Sequence, residues 1–252
     1  MMVADDAGAS CVAAGGSPKG WDFRLALTAE QLEELRQISS PTIANAIETF
    51  DVRPRMEGVT GPGVQCLFPQ HGGMIGYAST LAIHSNQPPA KVRRVHRKAY
   101  WEATRNKVGP LIAVAQDLSE TPGGAYWGDV NSHIHQKLGC IGVLTNGTVR
   151  DLDEVGRMAA PFHFFAAGVS VSHGWAHLED FDCPVKVFGM LVRPGDLIHA
   201  DRHGAVIIPL EIAGEVAFAA RKVEGSEKPM LDLCRAPQLD LEVLDQLISP
   251  GY

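Results

Sequence analysis

Hydrophobic and polar positions alternate in short, well-punctuated segments along this chain. Leu32, Leu35 and Ile38 recur at three-residue spacing behind Thr28, which predicts a helix opened by a threonine cap. Residues 40–48 restart a helix, with Pro41 in its first turn, where the missing N–H costs nothing. Turns are predicted at 53–54 and 58–63. Residues 72–83 read as a strand pair or one bent strand, 92–106 as a charged helix carrying aromatics, and 111–115 as a short buried strand. A helix over 128–138 precedes a strand over 140–144, and a further helix starts at Asp151.

The second half is dense in short apolar runs, at 162–166, 169–171, 184–188, 190–192, 197–200 and 205–209. Gly, Pro and Asp separate them, as in the turn Asp201-Arg202-His203-Gly204, so they predict a compact β layer. A helix over 211–223 follows. Helices alternate with strands in the middle while strands cluster later, which predicts an α/β sandwich with a mixed sheet rather than a doubly wound one. The expected organisation is a flexible tail over 1–24, a single domain over 25–235, and a C-terminal tail over 236–252 that can hold a last helix.

Composition narrows the functional classes. The 252 residues include 45% hydrophobic and 20% charged positions, enough for a sizeable core and too ordered a mixture for a disordered chain. A net charge of -7 leaves little basic surface, so no nucleic-acid partner is expected. The cationic stretch from Lys91 to Lys98 reads as a solvated helix face, or else as a contact for an anion. Five cysteines (Cys11, Cys66, Cys140, Cys183, Cys234) are scattered without a CxxC pair, which fits a reducing, cytoplasmic setting without structural zinc. No apolar run is long enough for a membrane helix, and the Ala/Gly/Ser-rich start lacks the pattern of a secretory signal. Neither GxGxxG nor a Walker loop is present, so no nucleotide cofactor is implied.

The candidate chemistry lies in Asp129, Arg150 and Asp151. Twenty residues separate Asp129 from Arg150, and Asp151 follows at once. Two carboxylates and a guanidinium can hold a hard cation, grip a carboxylate and move a proton. Each also has a plainer reading. Asp151 and Glu154 are spaced as a capping box, Asp129 can cap the helix it opens, and Arg150 with Asp151 can be a surface ion pair. His133 and His135 mimic a metal-binding HxH pair, but on a helix they face different ways, and only His133 shares the face of Asp129. His163, His173, His177, His199 and His203 read as strand or loop residues, and Asp196 and Asp201 as turn residues.

The series Gly128-Asp129, Gly139-x-x-Gly142 and Gly147-x-x-Arg150-Asp151 resembles the class II pyruvate aldolases of the 4-hydroxy-4-methyl-2-oxoglutarate type. These share their fold with the RraA regulators of ribonuclease E. Pro194-Gly195-Asp196 and Ala200-Asp201-x-x-Gly204 extend the resemblance over roughly residues 30–225. It implies a swivelling β/β/α sandwich that assembles as a homotrimer or homohexamer with sites at subunit junctions. It implies Mg²⁺ or Mn²⁺ on Asp151, and Arg150 on the carboxylate or keto oxygen of a small 2-oxo acid. Asp129 would act on the substrate hydroxyl through a water on the metal. Gly128 and the amides of Val130 and Asn131 would line the carboxylate-binding turn. The implied reaction is cleavage of a 4-hydroxy-2-oxo acid through pyruvate enolate, with oxaloacetate decarboxylation as a side activity. The alternative is a non-catalytic regulator that binds a ribonuclease or another protein, a type that tends to lose the acid at position 129. The chain departs from the pattern between Ser85 and Pro110, which is longer than in typical members and reads Val108-Gly109-Pro110 before the strand. In the family an acidic residue near the C-terminus comes from a neighbouring subunit, a place that Glu224 or Glu227 could fill.

Overall fold

The computed structural model describes residues 27–92 and 95–248. The expected tail over 1–24, and Cys11 with it, lies outside the described residues. Two helices open the described chain, α1 (Ala29–Arg36) and α2 (Ser40–Glu48). The cap predicted at Thr28 is a full capping box: Thr28 Oγ1 accepts from the Gln31 amide at 3.3 Å, and the Gln31 side chain accepts from the Thr28 amide at 2.9 Å. Leu32 and Leu35 face the core as their spacing requires.

A large mixed sheet follows. Its strands are β1 (Gln65–Cys66), β2 (Met74–His84), β3 (Leu111–Asp117), β5 (Cys140–Thr145), β7 (His163–Ala166), β9 (His177–Phe181), β12 (Leu197–Asp201) and β13 (Gly204–Ile208). Their order is β1-β7-β5-β3-β2-β12-β13, with β9 also on β2. The centre is parallel (β2, β3, β5, β7), and β1, β9, β12 and β13 join antiparallel. Residues 72–83 therefore yield one long strand with an irregularity between Ala82 and Ile83, not a strand pair. Gly76 makes no turn. A Cβ there would stand 2.6 Å from the Pro110 carbonyl oxygen, so glycine permits the close approach that starts the β2–β3 ladder.

Side chains alternate across this sheet into two cores. From β3, Leu111, Ala113 and Ala115 enter a core shared with α1, α2 and the inner half of α6 (Ala213–Arg235). Ile112 and Val114 enter the other, capped by a hairpin of β10 (Val185–Val187) and β11 (Met190–Val192). Period-two burial on both faces gives the three layers: hairpin, sheet, helices.

Two elements differ from expectation. The helix predicted over 92–106 is the shorter α3 (Arg97–Arg105), which buries Tyr100 and Thr104, while Val92 is 84% exposed. Helix α6 runs well past residue 223 despite Pro229. Strong helix formers and the Lys228–Asp232 pair at 2.6 Å sustain its exposed outer half, where no apolar stripe marks it. The C-terminal tail expected to be able to hold a last helix carries one, α7 (Leu241–Leu247), capped by Asp240. Among the described residues no helix is long and apolar enough to cross a membrane.

Candidate functional site

The residues singled out in the sequence meet at the ends of a second, small parallel sheet: β4 (Ala125–Trp127), β6 (Thr148–Val149) and β8 (Gly168–Val169). Trp127 is in register with Val149, and the Arg150 amide donates to the Trp127 carbonyl at 2.9 Å. Asp129 lies two residues beyond Trp127 and Asp151 two beyond Val149. Parallel pairing thus places the two acids side by side. Each strand then leads into a helix, α4 (Asp129–Lys137) and α5 (Leu152–Gly156). A crevice beyond the carboxyl ends of parallel strands, at helix N-termini, is a recurrent place for anionic ligands in α/β folds.

Gly128 is the N-cap of α4 and Asp129 its first residue. The Asp129 amide donates to Asp151 Oδ2 at 3.2 Å, and Asp129 Oδ1 accepts from the Val130 amide at 2.6 Å. Asp129 therefore supports its own helix start and still faces the cleft. Asp151 does not form the predicted capping box. It occupies the N-cap position of α5 in the left-handed conformation (φ 55°, ψ 44°), and its side chain makes no cap hydrogen bond. The carboxylate instead turns to the Gly128–Asp129 corner. A left-handed aspartate costs conformational energy and recurs at functional sites. Arg150 Nε stands 3.4 Å from Asp151 Oδ2, both side chains about one-third exposed.

Gly128 makes room for this arrangement. A Cβ there would lie 2.2 Å from Asp151 Oδ2 and 3.1 Å from Arg150 Cγ. The resulting cleft measures about 210 Å³, and Gly128, Asp129, Val130, Asn131, Arg150 and Asp151 all line it. That is below the ~300 Å³ at which drug-sized ligand pockets begin, so it suits a small molecule. The Asn131 side chain is itself engaged, donating to the Tyr126 carbonyl at 2.5 Å. The cleft is also lined by two residues not counted among its candidates in the sequence, Arg97 at the start of α3 and His173 in the loop after β8. Arg97 belongs to the cationic stretch read as a solvated face or else as a contact for an anion. Its cue was that this stretch falls inside the long 85–110 segment.

The other candidates lie elsewhere. His133 Nδ1 donates to the Asp129 carbonyl at 2.8 Å, and its ring lines a separate groove between α3 and α4. His135 is fully buried, with Nδ1 donating to the Asn131 carbonyl at 2.6 Å and Nε2 2.9 Å from the Tyr100 hydroxyl. Burial pushes its pKa down to about 4. His133 and His135 thus share no ligand position. Glu224 and Glu227, expected to be able to reach a neighbouring subunit's site, sit on the outer half of α6.

Among the described residues no three His, Cys, Asp or Glu side chains converge as a metal cage. What the cleft offers is hard carboxylate oxygen from Asp151 beside Asp129, with a glycine cradle next to it. This fits a cation of the Mg²⁺ type, which keeps several waters and takes one or two carboxylates. It does not fit zinc, which takes four protein ligands in structural sites and three in catalytic ones.

Fold and site together define a class. A family profile described as RraA-like, Aldolase/RraA, matches residues 40–207, and the chain belongs to that family. The family includes both 4-hydroxy-4-methyl-2-oxoglutarate aldolases and RraA inhibitors. Among its relatives is a putative 4-hydroxy-4-methyl-2-oxoglutarate aldolase from Halalkalibacterium halodurans, 25% identical over 177 residues, covering 70% of this chain and 72% of that one. Protein DlpA from Legionella pneumophila is 29% identical over 189 residues, 73% of this chain, which spans only 28% of that protein's length. Among solved structures, Streptomyces coelicolor RraAS2, an unusual member of the RNase ES inhibitor RraA family, superposes with a TM-score of 0.63. At 23% identity over 83% of this chain and 98% of that one, it supports the fold alone.

Proposed function

We propose that this protein is a divalent-metal-dependent carbon–carbon lyase that cleaves small 4-hydroxy-2-oxo acids through pyruvate enolate. The observation that carries this reading is the Asp129–Asp151 hydrogen bond beside Arg150, in a cleft sized for a small acid. Asp151 would hold Mg²⁺ or Mn²⁺, with waters completing the shell. When bound, the cation supplies Lewis-acid stabilisation of negative charge on the substrate's keto oxygen. Arg150 binds the carboxylate or keto oxygen, where a guanidinium adds charge and paired N–H donors. Gly128 and the first-turn amide of Asn131 orient the carboxylate at the helix start, and Val130, whose amide already donates to Asp129 Oδ1, lines the turn beside them. Asp129 accepts the proton of the 4-hydroxyl as the carbon–carbon bond breaks. Oxaloacetate, which loses CO₂ to the same enolate, is a second substrate of this reading.

The retained Asp129 favours the lyase over a regulator that binds a ribonuclease. Assembly as a trimer or hexamer, with sites at subunit junctions, is part of the proposal. It is supported by apolar side chains exposed near the cleft: Val130 at 64%, Trp175 at 57% and Val171 at 97%. The test is pyruvate release from a panel of 4-hydroxy-2-oxo acids and oxaloacetate, with Mg²⁺ and with EDTA. Metal-dependent pyruvate is the expected result. No pyruvate from any of them with metal present sinks the lyase and leaves the regulator.

A further inference from the structure

We propose that His173 is a catalytic residue of this cleft, exchanging the proton at the methyl carbon of pyruvate; this rests on the lyase reading above. Cleavage leaves an enolate whose carbon must be protonated before pyruvate departs. The two carboxylates of the cleft are placed as acceptors: Asp129 Oδ1 and Asp151 Oδ2 each take a backbone N–H. Arg97 and Arg150 are permanent cations that do not give up a proton. His173 lines the same cleft, and histidine is the side chain suited to exchanging protons near neutrality.

The geometry around His173 defines which nitrogen is available. Nδ1 lies 2.8 Å from the Gly174 carbonyl oxygen, which can only accept, so Nδ1 carries hydrogen in the neutral and the cationic ring alike. Nε2 is then the nitrogen that gains and loses a proton. The residue is exposed, so the ring can re-equilibrate with solvent after each turnover.

Its backbone is held in place. The Ala176 amide donates to the His173 carbonyl at 3.0 Å, and the Ala125 amide to the Ser172 carbonyl at 2.9 Å. A Cβ on Gly124 would stand 2.6 Å from the His173 oxygen, so the loop packs directly on the residue that leads into β4. Gly174, at φ +51°, would with a Cβ meet the Ser85 oxygen at 2.7 Å, and the Trp175 amide donates to that oxygen at 2.9 Å. The start of the long 85–110 segment thus braces the histidine loop, and the other end of that loop is tied to β4, the strand that leads to Asp129. Positioned groups of this kind make effective general acids.

The step balances as follows. Asp129 takes the hydroxyl proton, the C3–C4 bond breaks, and its electron pair becomes the enolate double bond. That pair then takes the Nε2 proton of the imidazolium, forming the methyl C–H bond and leaving neutral imidazole; Asp129 releases its proton to water and the imidazole regains one from water, so both groups return to their starting states. In reverse, the Nε2 lone pair removes a methyl proton from pyruvate.

The test is methyl-proton exchange of pyruvate in D₂O, followed by NMR on the full-length protein with Mg²⁺. Wild type should exchange, and His173→Ala should lose roughly 10²–10⁴-fold of that rate. The pyruvate concentration giving half-maximal exchange should stay within about twofold, since only protonation is removed. Added imidazole should restore exchange to His173→Ala but not to Asp151→Asn, an outcome that a structural role for His173 does not produce. Unchanged exchange in a folded His173→Ala, or a loss that imidazole never rescues, overturns the proposal while the lyase reading stands on pyruvate release. Wild type that neither exchanges nor releases pyruvate overturns both.

Discussion

The backbone amide of Asp129 donates to the carboxylate of Asp151 at 3.2 Å, across two strands that pair in parallel. This bond ties the start of α4 to the turn before α5 and aims Asp151 away from its own helix. The first prediction separates that structural task from chemistry. Asn at 151 tolerates the left-handed backbone and still accepts the amide. Asp151→Asn should therefore melt within a few degrees of wild type yet lose metal-dependent pyruvate release. Asp151→Ala should also lose roughly 1–2 kcal/mol of stability from backbone strain. Full activity in Asp151→Asn would reduce Asp151 to a strut.

Gly128 is the most sterically constrained position of the site. A methyl group there would sit 2.2 Å from Asp151 Oδ2, so Gly128→Ala must displace the carboxylate. Weaker Mg²⁺ activation, on the order of 10–100-fold in the activating concentration, is expected from disturbing a ligand's surroundings. A metal titration of pyruvate release reads it, and an unchanged curve contradicts the assignment of Asp151.

Arg97 lines the same cleft as Arg150, on a helix set in the long 85–110 segment. A second guanidinium would recognise a second negative group, with a charged hydrogen bond worth roughly 1.5–3 kcal/mol. Arg97→Ala should raise KM for diacids by about tenfold or more and leave monoacids nearly unaffected. Equal effects on both would remove Arg97 from substrate selection.

Three of the buried histidines set the acid limit of the fold. Burial lowers the pKa of His135, His163 and His199 from 6.5 to about 4. Between these values the unfolded chain binds more protons than the folded one. Stability is then complete above about pH 6.5 and falls as pH drops toward 4. Each histidine should cost about 2 kcal/mol by pH 5. Denaturant unfolding at pH 7.5, 6 and 5 measures this, and a flat profile would contradict burial of neutral rings.

Lys107 holds the chain after α3 to the turn after β9. Its ammonium pairs with Asp182 and donates to Ser79 Oγ at 2.8 Å, with only 8% of its side chain exposed. Lys107→Met leaves Asp182 unpaired and should cost about 3 kcal/mol. Adding Asp182→Asn should recover much of this, because Asn accepts the positive φ of 53° and carries no charge. A double variant no more stable than the single one would show that the pair contributes by packing alone.

By itself the sequence determined the periodic elements and the residue types of the site. Leu32, Leu35 and the β3 run reveal their helix and strand because burial on one face or two leaves a repeat in the chain. Asp129, Arg150 and Asp151 stand out because their spacing places both acids at predicted helix starts. Only the tertiary structure decided how they meet. β4 and β6 are three and two residues long, too short to carry a period, and their pairing is a long-range contact that no local pattern records. The same holds for Asp151, whose spacing to Glu154 mimics a cap until the Asp129 amide competes for its carboxylate. Arg97 read as solvated charge or an anion contact, and His173 as a loop residue, because their place in one cleft arises only where separate segments meet.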